Sequence, residues 1–224
     1  MMKKLVLGLA ALVGLGAPAV SEPRVQMIDP KALLFSLPTI SDEGAPLEPA
    51  TAAPGPTDFV FHEDEWRQVE FYPRRRLPEV QRAMSELKVW EASHRVGNGW
   101  SQMYLRKLSS GGLLSQGTSA GTLGEQLGVP LGSAPMLFYS DTIAGRVKRG
   151  FSLALGGRVS LYGYENESGV AVLGAYLDAP ADDQVLVRAF TRLSAVDDLI
   201  LVDWRAQMIA VSAGRDGKIE VWRP

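Results

Sequence analysis

The stretch GGLLSQGTSAG, residues 111–121, is the first place in this chain where residue types and spacing match a chemical site. Gly117-Thr118-Ser119-Ala120-Gly121 fits G-x-S-x-G, the strand–turn–helix elbow that exposes a serine nucleophile beside backbone N–H donors. The overlapping Gly112–Ser119 fits a phosphate-binding loop except that Thr118 stands where a lysine must reach the terminal phosphates. Hydrolysis at Ser119 needs a histidine base held by an acid. Elbow enzymes carry both after the serine, whereas His62 and His94 both precede it. The reverse order, His then Asp then Ser, finds only Asp64, two residues from His62. Glycines also break SSGGLLSQ, so it makes a poor core strand. The stretch reads as a loop, and Ser119 stays as a lone catalytic candidate in a chain read as non-catalytic.

Other partial matches fall the same way. Ser85-Glu86-Leu87-Lys88 fits S-x-x-K, but Leu87 is the buried member of a helical pattern and no K-T-G follows. His62-Glu63-Asp64-Glu65 gathers an imidazole and three acids without H-E-x-x-H spacing, and reads as an acidic turn. Asp182-Asp183 and Asp197-Asp198 flank a helix as cap and turn. No metal or cofactor is expected. SAGRDGKIEVW resembles the end of a propeller blade but does not repeat. Binding by aromatics is a stronger prospect. Trp66, Trp100 and Trp204 fall at strand ends, and Tyr162 and Tyr164 share a strand face with Ser160. Exposed, such rings stack on sugars or anchor protein interfaces. Trp90 lies on the apolar face of its helix and reads as core.

These residues must be positioned by a folded body, and composition bounds it. Lys3 and Lys4, an apolar run from Leu5 to Gly16 and the small residues Ala17-Pro18-Ala19 form a secretory signal over residues 1–19. The run is short for a membrane span, which takes about 20 apolar residues. No later segment is apolar enough. The chain has 0 cysteines, which excludes a lipoprotein, disulfides and thiolate chemistry. Removing the signal leaves 21 basic against 25 acidic side chains from the 23 and 25 of the whole. That mild acidity argues against a nucleic-acid binder. Arg74-Arg75-Arg76 is the one basic cluster. The mature protein is therefore expected in a bacterial periplasm or secreted.

Residues 20–57 hold seven of the 14 prolines and read as an extended linker. Two apolar patches in it, RVQMI and ALLFSLP, are expected either to pack on the body or to dock on a partner. Residues 58–224 read as one domain. EWRQVEFYP alternates as a strand, and Val80, Met84 and Leu87 follow at helical spacing. GWSQMYLRKL alternates again, TLGEQLG makes a turn or two of helix, and APMLFYS is a strand. GRVKRGFSLAL, with Val147, Phe151, Leu153 and Leu155 on one face, RVSLYGYEN and VAVLGAYL read as successive strands, the last buried. Residues 182–195 form a second helix capped by Asp182, with Val185, Leu186, Ala189, Phe190 and Leu193 on its inner side. LILVDW, QMIAVSAG and KIEVW close the chain, the last two joined around Asp216-Gly217. Hairpin links outnumber crossovers, so the expectation is an α+β fold, a mostly antiparallel sheet with two principal helices.

Three functions are consistent with this organisation. The leading one is an adaptor or accessory factor in envelope assembly or secretion, its partner an envelope protein. The alternative is a peptidoglycan- or glycan-binding module using exposed aromatics. The third is a serine hydrolase centred on Ser119.

Overall fold

The computed structural model describes residues 34–50, 52–108, 118–139, 142–214 and 218–224. In chain order the strands and helices are β1 (Thr39–Ser41), β2 (Leu47–Glu48), β3 (Val60–His62), β4 (Val69–Pro73), α1 (Leu77–His94), β5 (Arg95–Val96), β6 (Gly99–Trp100) and β7 (Tyr104–Arg106). They continue with α2 (Ala120–Leu127), β8 (Met136–Tyr139), β9 (Thr142–Val147), β10 (Gly150–Gly156), β11 (Val159–Asn166) and β12 (Gly169–Leu177). The chain ends with α3 (Asp183–Asp197), β13 (Leu199–Asp203), β14 (Met208–Ala213) and β15 (Ile219–Trp222).

The body is mixed α and β, a single compact unit in which three helices surround a large antiparallel sheet. Seven strands lie in the order β10-β11-β12-β4-β13-β14-β15, with every pair antiparallel. A four-stranded sheet, β2-β9-β8-β3, includes one parallel pair, β3 with β8. Alternation along each strand sends side chains to opposite faces. From β4 and β13, Val69, Phe71, Leu199 and Leu201 enter a cluster with Leu123 of α2 and Phe190 and Leu193 of α3. Tyr72, Ile200 and Val202 point the other way, to Val80, Met84 and Leu87 of α1. Beside α1 on that second face, Tyr162 and Val172 meet Phe61, Trp66 and Leu137 under the four-stranded sheet.

The helices start and stop where local chemistry dictates. Pro78 occupies the first turn of α1, where its missing N–H is no loss. The Asp182 carboxylate caps α3 by accepting from the Gln184 N–H at 3.0 Å. At the far end of α2, Gly128 takes φ 73°, the left-handed cap that favours glycine.

Three expected strands are broken. GRVKRGFSLAL divides between β9 and β10, which belong to different sheets, so Val147 does not share a face with Phe151 and Leu153. The turn between them needs Arg149 at φ 54°, and a Cβ on Gly150 would sit 2.7 Å from the Val147 carbonyl. Alternation persists across such a turn, so the pattern alone hides it. EWRQVEFYP is strand only from Val69, because Arg67 turns the chain at φ 58°. GWSQMYLRKL splits into β6 and β7.

Within the proline-rich stretch, β1 pairs in parallel with β7 and β2 pairs with β9. Both strands lie before residue 58, where composition places the start of the domain. Backbone pairing needs no large side chains, so composition cannot register it. Residues 1–33 lie outside the described residues, as do Gly111–Gly117 and the Asp216-Gly217 turn. Among the described residues no helix is long and apolar enough to cross a membrane.

Candidate functional site

Ser119 is placed by the helix that follows it. Its hydroxyl oxygen accepts from the Thr122 N–H at 3.1 Å and lies 3.0 Å from the Thr122 hydroxyl, which makes it the N-cap of α2. Neither histidine is among its hydrogen-bond partners. The His62 Nδ1 accepts from the Asp64 N–H at 3.2 Å, and His94 stacks on Trp90 with ring centroids 4.2 Å apart. The acidic quartet is a short 3-10 turn, Glu63–Glu65, in which Glu65 pairs with Arg205 at 2.8 Å. Among the described residues no group of three or more His, Cys, Asp or Glu is gathered as a metal would need. In the basic triplet, Arg74 holds Asp198 at 2.6 Å and Arg76 holds Glu79 at 2.8 Å.

The aromatic candidates divide by burial. Trp204 and Tyr162 are fully buried, which leaves these two no face for a ligand, whereas Trp66, 5% exposed, lines a cavity of about 280 Å³ with Ile40, Ala45, Leu47 and Leu137. Trp66 packs on Tyr162 at 5.2 Å and Tyr164 at 6.5 Å, so three of the five candidates meet in one cluster. The Trp66 indole N–H has no acceptor among the described residues. The Tyr162 ring crosses Gly174, where a Cβ would lie 2.5 Å from it; only glycine leaves the ring its place. Tyr164 and Trp100 are half-buried. Trp100 stands apart in the β5–β6 hairpin, its indole N–H donating to Glu91 at 3.3 Å.

Sequence reasoning missed a buried polar network. Glu70 alternates with Phe71 on β4 and so faces α1, where it accepts from the Arg67 Nε at 2.6 Å, from the Trp204 Nε1 at 3.0 Å and from the Tyr72 hydroxyl. Arg106, on β7, lies 4.8 Å over the Trp204 ring and donates to the Arg67 carbonyl at 2.8 Å. Burial is the largest single influence on the Arg67 guanidinium and pulls it down, but the charges and hydrogen bonds of Glu70 and Tyr72 together outweigh it, and Arg67 ends above the usual arginine range. For Arg106 burial prevails over Glu70 and the net direction is downward. Burial raises the phenols of Tyr72 and Tyr162 beyond the tyrosine range, and the neighbouring charge of Glu70 adds to it in both. The available signal was Glu70 itself, a carboxylate inside an otherwise apolar strand.

The network bolts an N-terminal strap to the body. Arg67 reaches Glu43 at 3.0 Å, Arg106 donates to the Thr39 hydroxyl at 3.2 Å, and the Gln68 amide donates to the Thr39 carbonyl at 2.9 Å. Further upstream Phe35 exchanges backbone hydrogen bonds with Trp100 at 2.8 and 3.1 Å, adding an extended residue to the β5–β6 hairpin. Gly99 permits this approach, since a Cβ there would lie 2.8 Å from the Phe35 carbonyl. Leu34, Phe35 and Val96 remain 48, 40 and 49% exposed, an apolar patch where the strap meets the hairpin. Compared with protein families, curated proteins and solved structures, the chain matches none of them.

Proposed function

We propose that the protein is an exported, non-catalytic adaptor of the bacterial cell envelope. On this reading residues 1–19 direct export, residues 20–33 form a tether, and the Leu34–Phe35–Val96 patch receives an envelope protein. The observation that carries the reading is the strap. Phe35 and Pro38–Asp42 are paired through their backbone, and Thr39 and Glu43 are fastened by Arg106 and Arg67, both buried. An apolar patch at the point where a tether joins the body is suited to a protein interface. The glycan reading has less to stand on, because Trp204 and Tyr162 offer no face to a sugar and Trp66 is only 5% exposed. Hydrolysis at Ser119 finds its hydroxyl capping a helix.

The test is crosslinking in the periplasm of cells making the whole chain, a chain lacking residues 22–33, and Phe35→Asp. The deletion stops at residue 33, because cutting into residues 34–48 removes β1 and β2. One dominant partner, lost in Phe35→Asp and kept when residues 22–33 are removed, is the expected result. Equal crosslinking by all three rejects the patch. Failure of the whole chain to reach the periplasm rejects the export reading.

A further inference from the structure

On the opposite face of the large sheet from α1, a groove of about 740 Å³ runs along α3 beside α2 and the edge strand β10. Its apolar surface comes from Leu127, Val129, Leu155, Val185 and Ala189, the first three of them only partly buried. Arg188 and Arg192 stand on its α3 side, exposed and one helical turn apart. Among the described residues neither guanidinium makes a hydrogen bond or an ion pair. The contrast with other arginines is plain: Arg74, Arg158 and Arg205 each hold a carboxylate. Like charges at i and i+4 destabilise a helix. Two unpartnered guanidinium groups therefore border an apolar groove in a chain that carries more acid than base.

We propose that this groove receives an amphipathic helix of a partner protein, its apolar face against Leu155 and Val185 and two carboxylates, one turn apart, on Arg188 and Arg192. Charge complementarity selects the occupant. Guanidinium groups take carboxylates through paired N–H donors, and their spacing matches side chains at i and i+4 of a facing helix. From Gln184 to Ala195 the lined part of α3 is roughly 17 Å long, enough for about three turns of a partner helix. A fatty acid brings one carboxylate and uses one arginine. An open groove also leaves an acyl chain wet along its length. The inference adds a second surface to the adaptor reading and does not rest on export.

The experiment is fluorescence anisotropy on the purified full chain. The probe is a labelled 14-residue helical peptide with leucines on one face and two glutamates four residues apart. A counterpart carries glutamine in place of both. The glutamate peptide is expected to bind about tenfold or more tighter, the preference shrinking as salt rises. The double variant Arg188→Glu/Arg192→Glu is expected to lose that preference and to gain one for a lysine peptide. Both positions are exposed, so unchanged far-ultraviolet circular dichroism accompanies the loss. Leu155→Asp is expected to weaken both peptides alike. Equal binding of the two peptides, or no binding, overturns the proposal. So does tighter binding of oleate through the same arginines, which assigns a lipid. Binding that appears only after deletion of residues 22–33 also overturns it, because the groove is then filled by the chain itself. None of these outcomes touches the Phe35 patch, so the two readings fail separately.

Discussion

Strand β4 carries two kinds of core on its two sides. Val69 and Phe71 enter an apolar cluster beneath α2 and α3, whereas Glu70 and Tyr72 enter a charged one beneath α1. On the first side the partners are interchangeable in kind, and any set of apolar side chains of similar volume fills the space. On the second, each donor needs its acceptor. Such a network is a weak source of net stability, since desolvating Arg67, Glu70 and Arg106 offsets most of their attraction. Its value lies in fixing which segment fits: Thr39 and Glu43 belong to the strap, and only one register of β1 on β7 serves both. The apolar side holds the sheet together. The charged side decides where the N-terminal segment goes.

Breaking either side should cost alike, but only one should be rescued. Glu70→Ala leaves Arg67 buried without its carboxylate and is expected to lose about 3–5 kcal/mol in urea denaturation. Phe71→Ala, one residue on, is expected to lose a similar amount, about 3–5 kcal/mol, through its cavity. The double variant Arg67→Met/Glu70→Leu should recover most of the Glu70 loss. Simple additivity of the two single losses would mean that the charged side behaves as ordinary packing.

A smaller effect is expected at the strap. Gly99→Val places atoms against the Phe35 carbonyl and should release residues 34–38 to limited proteolysis, at a cost of about 1–2 kcal/mol. The large sheet should keep its protection from hydrogen exchange. Loss of protection in β12 and β13 would show that strap and sheet unfold together.

Alkali should separate the two sides without mutation. In the folded protein the Tyr72 and Tyr162 phenols hold their protons above the ordinary value of 10.0, while the unfolded chain releases them there. Their contribution is complete below that value and is lost as pH rises through the raised pKa values. Stability should fall from about pH 10 upward, with Tyr162→Phe flattening the decline. An unchanged slope in that variant would place the alkaline loss elsewhere.

The smallest effect belongs to Ser119. Ser119→Ala should cost about 1 kcal/mol as a lost cap, and Ser119→Asp should restore it. A fluorophosphonate probe should leave the protein unlabelled. Labelling that vanishes in Ser119→Ala would return the serine to catalysis.

Parts of the fold whose signals are local can be read along the chain. Val80, Met84 and Leu87 repeat at 3.6 residues and make one face of α1; Asp182 caps α3; alternate residues of LILVD divide between two cores. Hairpin-length links made the sheet antiparallel. The order of residues leaves Ser119 without a histidine after it, and its place as a cap needed the helix to be seen. The rest depends on contacts between distant segments. A two-residue turn leaves alternation intact, so Val147 and Phe151 looked like one strand and belong to two sheets. Trp66, Trp204 and Tyr162 sit at strand ends and on a half-polar strand where burial depends on what folds over them. The strap and the groove are likewise products of distance: Arg67 meets Glu43 and Arg188 borders Leu155 through folding alone, and no local pattern records either pairing.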